Sequence, residues 1–153
     1  MIFRQSLTNF DVMIKYGEKF QVYTSIQHEK MGYTIRISDD NSIIMITVVG
    51  VVDSNLALEY TVKSHQLGRE IGILNFLVDL IGARNMQSPV ENYDFVISDL
   101  DESQFIDRRA KVAMLVSPDD DSHNFIETIS RYSGYNVKIF RKLEDALGFL
   151  KQE

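Results

Sequence analysis

The chain contains no cysteine and no tryptophan, and only two prolines and three histidines among its 153 residues. The absence of cysteine excludes disulfides, thiol catalysis and thiolate-ligated zinc or iron–sulfur sites. No apolar run approaches the roughly 18 residues that a membrane span requires, and residues 1–10 lack the basic-then-apolar order of a signal peptide. We therefore expect a cytoplasmic protein without a membrane span.

Positive charge is also scarce in this sequence. The chain carries 16 lysines and arginines against 22 aspartates and glutamates, a formal net charge of −6. Such a balance disfavours nonspecific binding to phosphate backbones, so nucleic acid is not an expected partner. The hydrophobic fraction of 44% and the charged fraction of 25% are typical of a globular protein, and the length suits one domain.

The common catalytic and cofactor motifs are missing. His28, His65 and His123 are scattered without metal-ligand spacing, which predicts surface or helix-cap histidines. The eight glycines form no phosphate-binding loop, and no G-x-S-x-G elbow occurs. The acidic run 119–121 could ligate a cation, but we favour a charged turn before a helix. We expect no metal, no cofactor and no enzymatic activity, and no residue supports an enzyme as the alternative.

From Tyr33 onward the apolar pattern switches between strand and helix periods, which is typical of an α/β fold. Residues 33–37 and 43–52 read as a hairpin around Asp39-Asp40-Asn41. Three helix–strand units and a last helix follow, with strands predicted at 76–80, 112–116 and 137–140. Residues 31–153 are thus predicted to form a mixed, mostly parallel five-stranded sheet with flanking helices on both faces.

Helix-start and helix-stop signals are clear at several positions. Asp53-Ser54 is a good N-cap pair for a first helix, and Gly72 ends its apolar periodicity. Gly134 is expected to close a later helix. The helix in between is predicted to start at Ser88 and to bury one apolar stripe. The residues of that stripe are Val90, Tyr93, Ile97 and Leu100.

The first 30 residues do not show the alternation of strand and helix periods found from Tyr33 onward. Residues 12–16 and 20–26 alternate apolar and polar side chains on either side of Gly17-Glu18, which predicts an added hairpin. This N-terminal extension would either lengthen the sheet edge or mediate self-association. A homo-oligomer is therefore one expectation.

One series of residues imitates a phosphorelay receiver. Such a domain would use an acidic pair, an acceptor aspartate, a hydroxyl residue and a lysine at successive strand ends, and this chain has Asp39-Asp40, Asp79, Ser117 and Lys142. In a receiver the acidic pair shares one sheet edge with the acceptor. Here the pair joins two consecutive strands and is predicted to lie at the opposite edge, so we reject the receiver hypothesis.

The last third of the chain resembles a known family. It combines the basic pair Arg108-Arg109, the strands 110–116 and 137–140, and the ending Leu143-Glu144-Asp145-Ala146-Leu147-Gly148-Phe149-Leu150. This pattern is similar to the STAS domains, in particular the SpoIIAA-like branch of small stand-alone bacterial proteins, and the likeness extends over about residues 33–150. The resemblance implies the same single-domain fold and a non-enzymatic regulatory module, like the anti-sigma factor antagonists.

The resemblance also implies where partners bind. The expected place is the crevice at the carboxyl ends of the parallel strands, which is the usual site in open α/β sheets. The expected partner is a protein, with an anti-sigma-factor-like kinase as the family's example. The residues collected there would be Asp53, Ser54, Gly82, Ala83, Arg84, Asn85, Ser117 and Asp119, with the rest of the turn to Asp121.

Ser88 has two alternative roles. It stands where anti-sigma factor antagonists carry a regulatory phosphoserine, so the resemblance makes it a candidate phosphosite. The family's motif is altered here, because Gln87 replaces an aspartate and Pro89 follows the serine. We favour a purely structural role, since a helix N-cap accounts for the serine.

The rival hypothesis is that the chain binds a lipid or a small hydrophobic ligand, as the related CRAL-TRIO fold does. Four apolar residues lie outside the main stripe of the helix that starts at Ser88 and could line a pocket beneath it. They are Phe95, Val96, Phe105 and Ile106. The alternative is that they pack against the N-terminal segment or form a dimer seam, which we favour.

Overall fold

The computed structural model describes residues 2–7, 10–15, 21–26 and 32–153. Its strands are β1 Ile2–Leu7, β2 Phe10–Lys15, β3 Gln21–Ile26, β4 Gly32–Ile37, β5 Ile44–Val52, β6 Asn75–Asp79, β7 Ala83–Asn85, β8 Lys111–Leu115 and β9 Asn136–Phe140. Its helices are α1 Ser54–Ile71, α2 Pro89–Asp94, α3 Asn124–Tyr132 and α4 Leu143–Lys151. A π-helix, Phe95–Leu100, continues α2.

The described strands form a sheet in the order β1-β2-β3-β4-β5-β6-β8-β9. β4 and β5 are antiparallel, whereas β5, β6, β8 and β9 run parallel. This confirms the predicted mixed, mostly parallel sheet. The turn at Asp39-Asp40 precedes β5, and Asp79 ends the parallel strand β6, so the two lie at opposite edges. The topology therefore rules out the receiver arrangement.

The short strand β7 was not predicted. β5 is nine residues long, and its first half pairs with β6 through the register Ile44↔Phe76. The second half extends beyond β6 and pairs with β7 through Val51↔Arg84. Three residues are too few for a periodic signal, which is why the sequence pattern does not reveal this strand.

Helices cover both faces of the sheet, as predicted. Because side chains alternate along a strand, neighbours such as Phe76 and Leu77 enter different cores. The larger core joins the sheet to α1, the π-helix and α3. The smaller core joins the opposite face to α4 through Ala146 and Leu150.

Both ends of α1 agree with the sequence signals. The carboxylate of Asp53 accepts a hydrogen bond from the backbone N–H of Leu56 at 2.8 Å, which satisfies a free donor of the first turn. Gly72 adopts a left-handed conformation with φ 75° and closes the helix. Gly134 is also left-handed, with φ 89°, and follows the C-cap residue of α3, Ser133.

The strands of the N-terminal extension join the sheet by antiparallel pairing. β1 pairs with β2, β2 pairs with β3, and β3 pairs with β4 through Thr24↔Ile35. The predicted turn at Gly17-Glu18 lies outside the described residues, as does His28. The division of the chain at residue 30 and the role of the extension stay predictions.

The basic pair of the closing pattern stabilises the segment before β8. Arg108 donates a hydrogen bond to the carboxylate of Asp101 at 2.6 Å, and its guanidinium lies over the ring of Tyr135 at 4.4 Å. The hydroxyl of Tyr135 donates to the same carboxylate at 2.6 Å. Arg109 pairs with Asp107 at 2.8 Å. These contacts tie the loop between the π-helix and β8 to the start of β9.

The predicted apolar stripe after Ser88 is confirmed in its second half, since Leu100 is buried and Ile97 packs against the larger core, but its first half is wrong. Val90 and Tyr93 are 68% and 49% exposed, whereas the buried side chains are those of Asn92, Phe95, Val96 and Leu100. The physical reason is the change from α-helix to π-helix at Phe95, because hydrogen bonds from i to i+5 alter the spacing with which side chains return to one face. An apolar periodicity of 3.6 residues per turn, applied across this junction, therefore assigns the wrong face of α2 to the core.

Candidate functional site

The loops that follow the parallel strands meet at the carboxyl edge of the sheet. The backbone N–H of Gly50 donates to the carbonyl of Gly82 at 2.9 Å. The hydroxyl of Ser117 donates to the carbonyl of Ile81 at 3.3 Å. The side chain of Gln87 hydrogen-bonds to that of Ser54. The structure therefore brings together most of the segments that the sequence assigned to this edge.

The predicted edge residues differ in exposure. Asp53, Gly82, Arg84 and Asp119 are exposed, and Ser54 and Ser117 are half-buried. Ala83 and Asn85 are buried, because alternate residues of β7 point in opposite directions. These two side chains therefore pack beneath the edge, inside the protein, and are not part of the exposed surface.

Asn85 holds the edge to α2. Its side-chain amide donates to the carbonyl of Asn92 at 2.9 Å in a buried pair. Its own side-chain carbonyl accepts the backbone N–H of Gln87 at 3.0 Å, and its backbone N–H donates to the hydroxyl of Ser122 at 3.2 Å. Such a satisfied buried network fixes the start of α2 relative to β7 and the turn before α3.

Ser88 forms both halves of a capping box. Its hydroxyl accepts the backbone N–H of Glu91 at 3.2 Å, and its own backbone N–H donates to the carboxylate of Glu91 at 2.7 Å. These bonds from Ser88 lower the pKa of Glu91, because they stabilise its charged form. Ser88 is nevertheless exposed, so the hydroxyl that caps the helix is also at the surface.

The acidic turn before α3 is held by hydrogen bonds within the protein. Arg141 donates to the carbonyls of Pro118 and Asp120 and to the carboxylate of Asp121, the last at 3.1 Å. Asp120 accepts the backbone N–H of Ser122 at 2.9 Å. Over the described part of the chain, no three acidic or histidine side chains are grouped closely enough to hold a metal ion. The geometry agrees with a charged turn.

Exposed apolar residues concentrate around the carboxyl edge. We call this surface the edge patch. It consists of Val49, Val51, Ile81, Met86, Val90 and Tyr93. Val49 and Val51 lie on the α4 side of the sheet, in the part that α4 does not reach, and the last three lie on or next to α2 on the other side of the same edge. Large exposed apolar side chains at one end of a molecule are typical of binding surfaces.

A cavity of about 100 Å³ lies between the sheet and the helices on the larger core. Apolar side chains from the sheet and the π-helix, among them Phe76, Met114 and Phe95, line most of it. Two histidines also border it. The ring of His65 stacks on Phe76 with centroids 4.2 Å apart, and His123 is only 2% exposed.

The burial of these two histidines corrects the prediction that they lie at the surface or cap helices. His123 occupies the N-cap position of α3, but its side chain makes no capping bond. Burial lowers the pKa of His65 to about 4 and also lowers the pKa of His123, because it disfavours the charged imidazole. The helical period could have indicated the burial of His65, because this residue lies three positions before Gly68 on the side of α1 that faces the sheet.

Comparison with known proteins identifies the fold. No family model matches the chain, and no curated protein matches it. The chain is similar to the crystal structure of an uncharacterised protein of the DUF3478 family from Shewanella loihica PV-4, which has a SpoIIAA-like fold. The TM-score is 0.51 and the identity is 18%, over 82% of this chain and 98% of that chain. A likeness at this identity shows the fold alone.

Proposed function

Since the chain has a SpoIIAA-like fold, we propose that it is a non-enzymatic, cytoplasmic interaction module whose protein partner docks on the edge patch. The observation that carries the proposal is the exposure of Val90 and Tyr93, which belong to a helix whose other face is buried. Monomeric proteins rarely expose such apolar groups together unless another surface covers them. No helix among the described residues is long and apolar enough to cross a membrane.

The charge around the edge patch indicates the chemistry of the partner. Asp53, Glu91 and Asp94 are exposed in the segments that carry it, and Arg84 on β7 is an exposed base there. Complementary potentials favour a partner that presents an apolar surface with a basic rim. The anti-sigma-factor-like kinase implied by the family resemblance is the example that we propose to test.

Replacing Val90 by Asp should weaken partner binding by tenfold or more, because the charge would have to be desolvated in an apolar contact. The matched control is Tyr132→Asp, since Tyr132 is 91% exposed and lies at the end of α3, just before β9 starts at the opposite edge. Partners are first captured from native cell extract and identified, and affinities are then measured with the purified partner. Equal losses in both variants, or no specific partner, would refute the proposal.

The two roles of Ser88 predict different results. If Ser88 only caps α2, Ser88→Ala should lose about 1 kcal/mol of stability, whereas Ser88→Asp should keep it because aspartate also caps helices. Partner affinity should change little in either variant. If Ser88 is a regulatory phosphosite, Ser88→Asp should weaken partner binding tenfold without loss of stability, while Ser88→Ala still binds. Denaturant unfolding and titration with the partner distinguish these outcomes, and we expect the first.

A further inference from the structure

One of the residues that border the cavity carries a polar atom that the protein leaves unsatisfied. Within residues 32–153, the buried side-chain atoms without a hydrogen-bond partner are Nε2 of His123 and Oγ of Ser133. Of these two residues, His123 borders the cavity. The nearest carboxylate oxygen, Oδ2 of Asp120, is 3.6 Å from Nε2, which is beyond hydrogen-bond distance. A buried polar atom of this kind requires an explanation, because leaving it unpaired costs about 1–3 kcal/mol.

Three other polar side chains around the cavity already form hydrogen bonds within the protein. The side-chain amide of Asn85 bonds to Asn92, and the hydroxyl of Ser64 donates to the carbonyl of Thr61 at 2.9 Å. Gln87 bonds to Ser54. A molecule in the cavity would therefore meet mainly apolar walls, together with the fully buried, unpaired Nε2 of His123.

The size of the cavity limits what it can hold. Engineered apolar cavities of about 150 Å³ bind benzene, so a volume of about 100 Å³ suits a molecule of that order and not the acyl chain of a lipid. The lining is mostly apolar, and its one acidic side chain, Asp107, is already paired with Arg109 at 2.8 Å, so a charged guest is disfavoured. A hydroxyl group would satisfy Nε2 in either imidazole tautomer, since it both donates and accepts hydrogen bonds.

We propose that this cavity binds a small, neutral, mostly apolar molecule with one hydroxyl group, and that the hydroxyl hydrogen-bonds to Nε2 of His123. The π-helix over the cavity supports a binding role, because such segments occur frequently at functional sites. The competing explanation is an ordered water that pairs with Nε2. The proposal is independent of the edge patch, because it uses the buried side of the same helix.

The test compares phenol with benzene as probes. Calorimetric or NMR titration of the full chain should give a phenol-to-benzene affinity ratio that falls tenfold or more in His123→Phe. The matched control is His65→Phe, which also replaces a cavity histidine by an apolar ring and should leave the ratio unchanged. An unchanged ratio in His123→Phe, or an equal fall in His65→Phe, would overturn the assignment to His123.

A second measurement needs no variant at all and covers the case in which His123→Phe does not fold. In the unmodified protein, the imidazole nitrogen resonances of His123 should shift on addition of phenol and change much less with benzene. If neither probe binds up to its solubility, the cavity holds only water and the proposal is wrong. If both probes shift His123 equally, the hydroxyl is not recognised and the proposal is equally wrong.

Discussion

Replacing Gly68 by Ala should lower the free energy of unfolding by about 2 kcal/mol. A Cβ at this position would lie 2.6 Å from the backbone oxygen of Ile73 and 2.8 Å from Cζ of Phe76. The oxygen belongs to the main chain that leads into β6, so no rotamer change can relieve the contact. The gain of about 1 kcal/mol that alanine normally brings to a helix is therefore outweighed.

Gly148 in α4 provides the matched control for this substitution. It is also a helical glycine, but nothing lies within 4 Å of the Cβ that alanine would add there. Gly148→Ala should therefore stabilise the protein by about 1 kcal/mol through helix propensity alone. Denaturant unfolding of both variants measures the difference. Equal effects at the two positions would show that α1 does not approach β6 as closely as described.

The features that local sequence signals govern were predicted well. The ends of α1 at Asp53 and Gly72 depend on side-chain caps and a left-handed glycine, which act within a few residues. The capping box at Ser88 is equally local. The antiparallel start of the sheet and its parallel remainder followed from a hairpin at Asp39-Asp40 and from the alternation of helices and strands, because parallel strands require long crossovers.

The features that depend on tertiary packing were missed. The π-helix after Asp94 changes which face of the helix is buried, and no local residue pattern predicts a π-helix there. Nothing in the sequence around His123 marks it as buried, and the helical period places His65 on the sheet-facing side of α1 without showing what covers it. Their environment is created by elements distant in the chain, such as β6 beneath His65. The cavity that they border could therefore not be predicted from spacing.

The burial of His65 should make the protein sensitive to mild acid. Its pKa is about 4 in the folded state, mainly because burial disfavours the imidazolium, whereas an unfolded chain has a value near about 6.5. The unfolded state therefore binds the proton first as the pH falls. The stability contributed by neutral His65 is fully present above about pH 6.5 and is lost progressively as the pH falls towards 4. At about 1.4 kcal/mol per pKa unit, the loss amounts to about 3 kcal/mol.

The variant His65→Phe isolates this contribution, because phenylalanine keeps a ring against Phe76 but cannot be protonated. Unfolding free energies measured for both proteins between pH 7 and 4 should converge as the pH falls, with His65→Phe losing about 3 kcal/mol less. The carboxylate of Asp40, with a pKa of about 2, begins to lose its contribution only at the acid end of this window and does so equally in both proteins. The carboxylate of Asp107 interacts with the charge of His65, so this interaction is part of what the variant removes. Parallel stability curves from pH 7 to 4 would mean that the folded state accepts a proton on His65 at little cost. The imidazole would then be reached by solvent, and the wall of the cavity at α1 would be open.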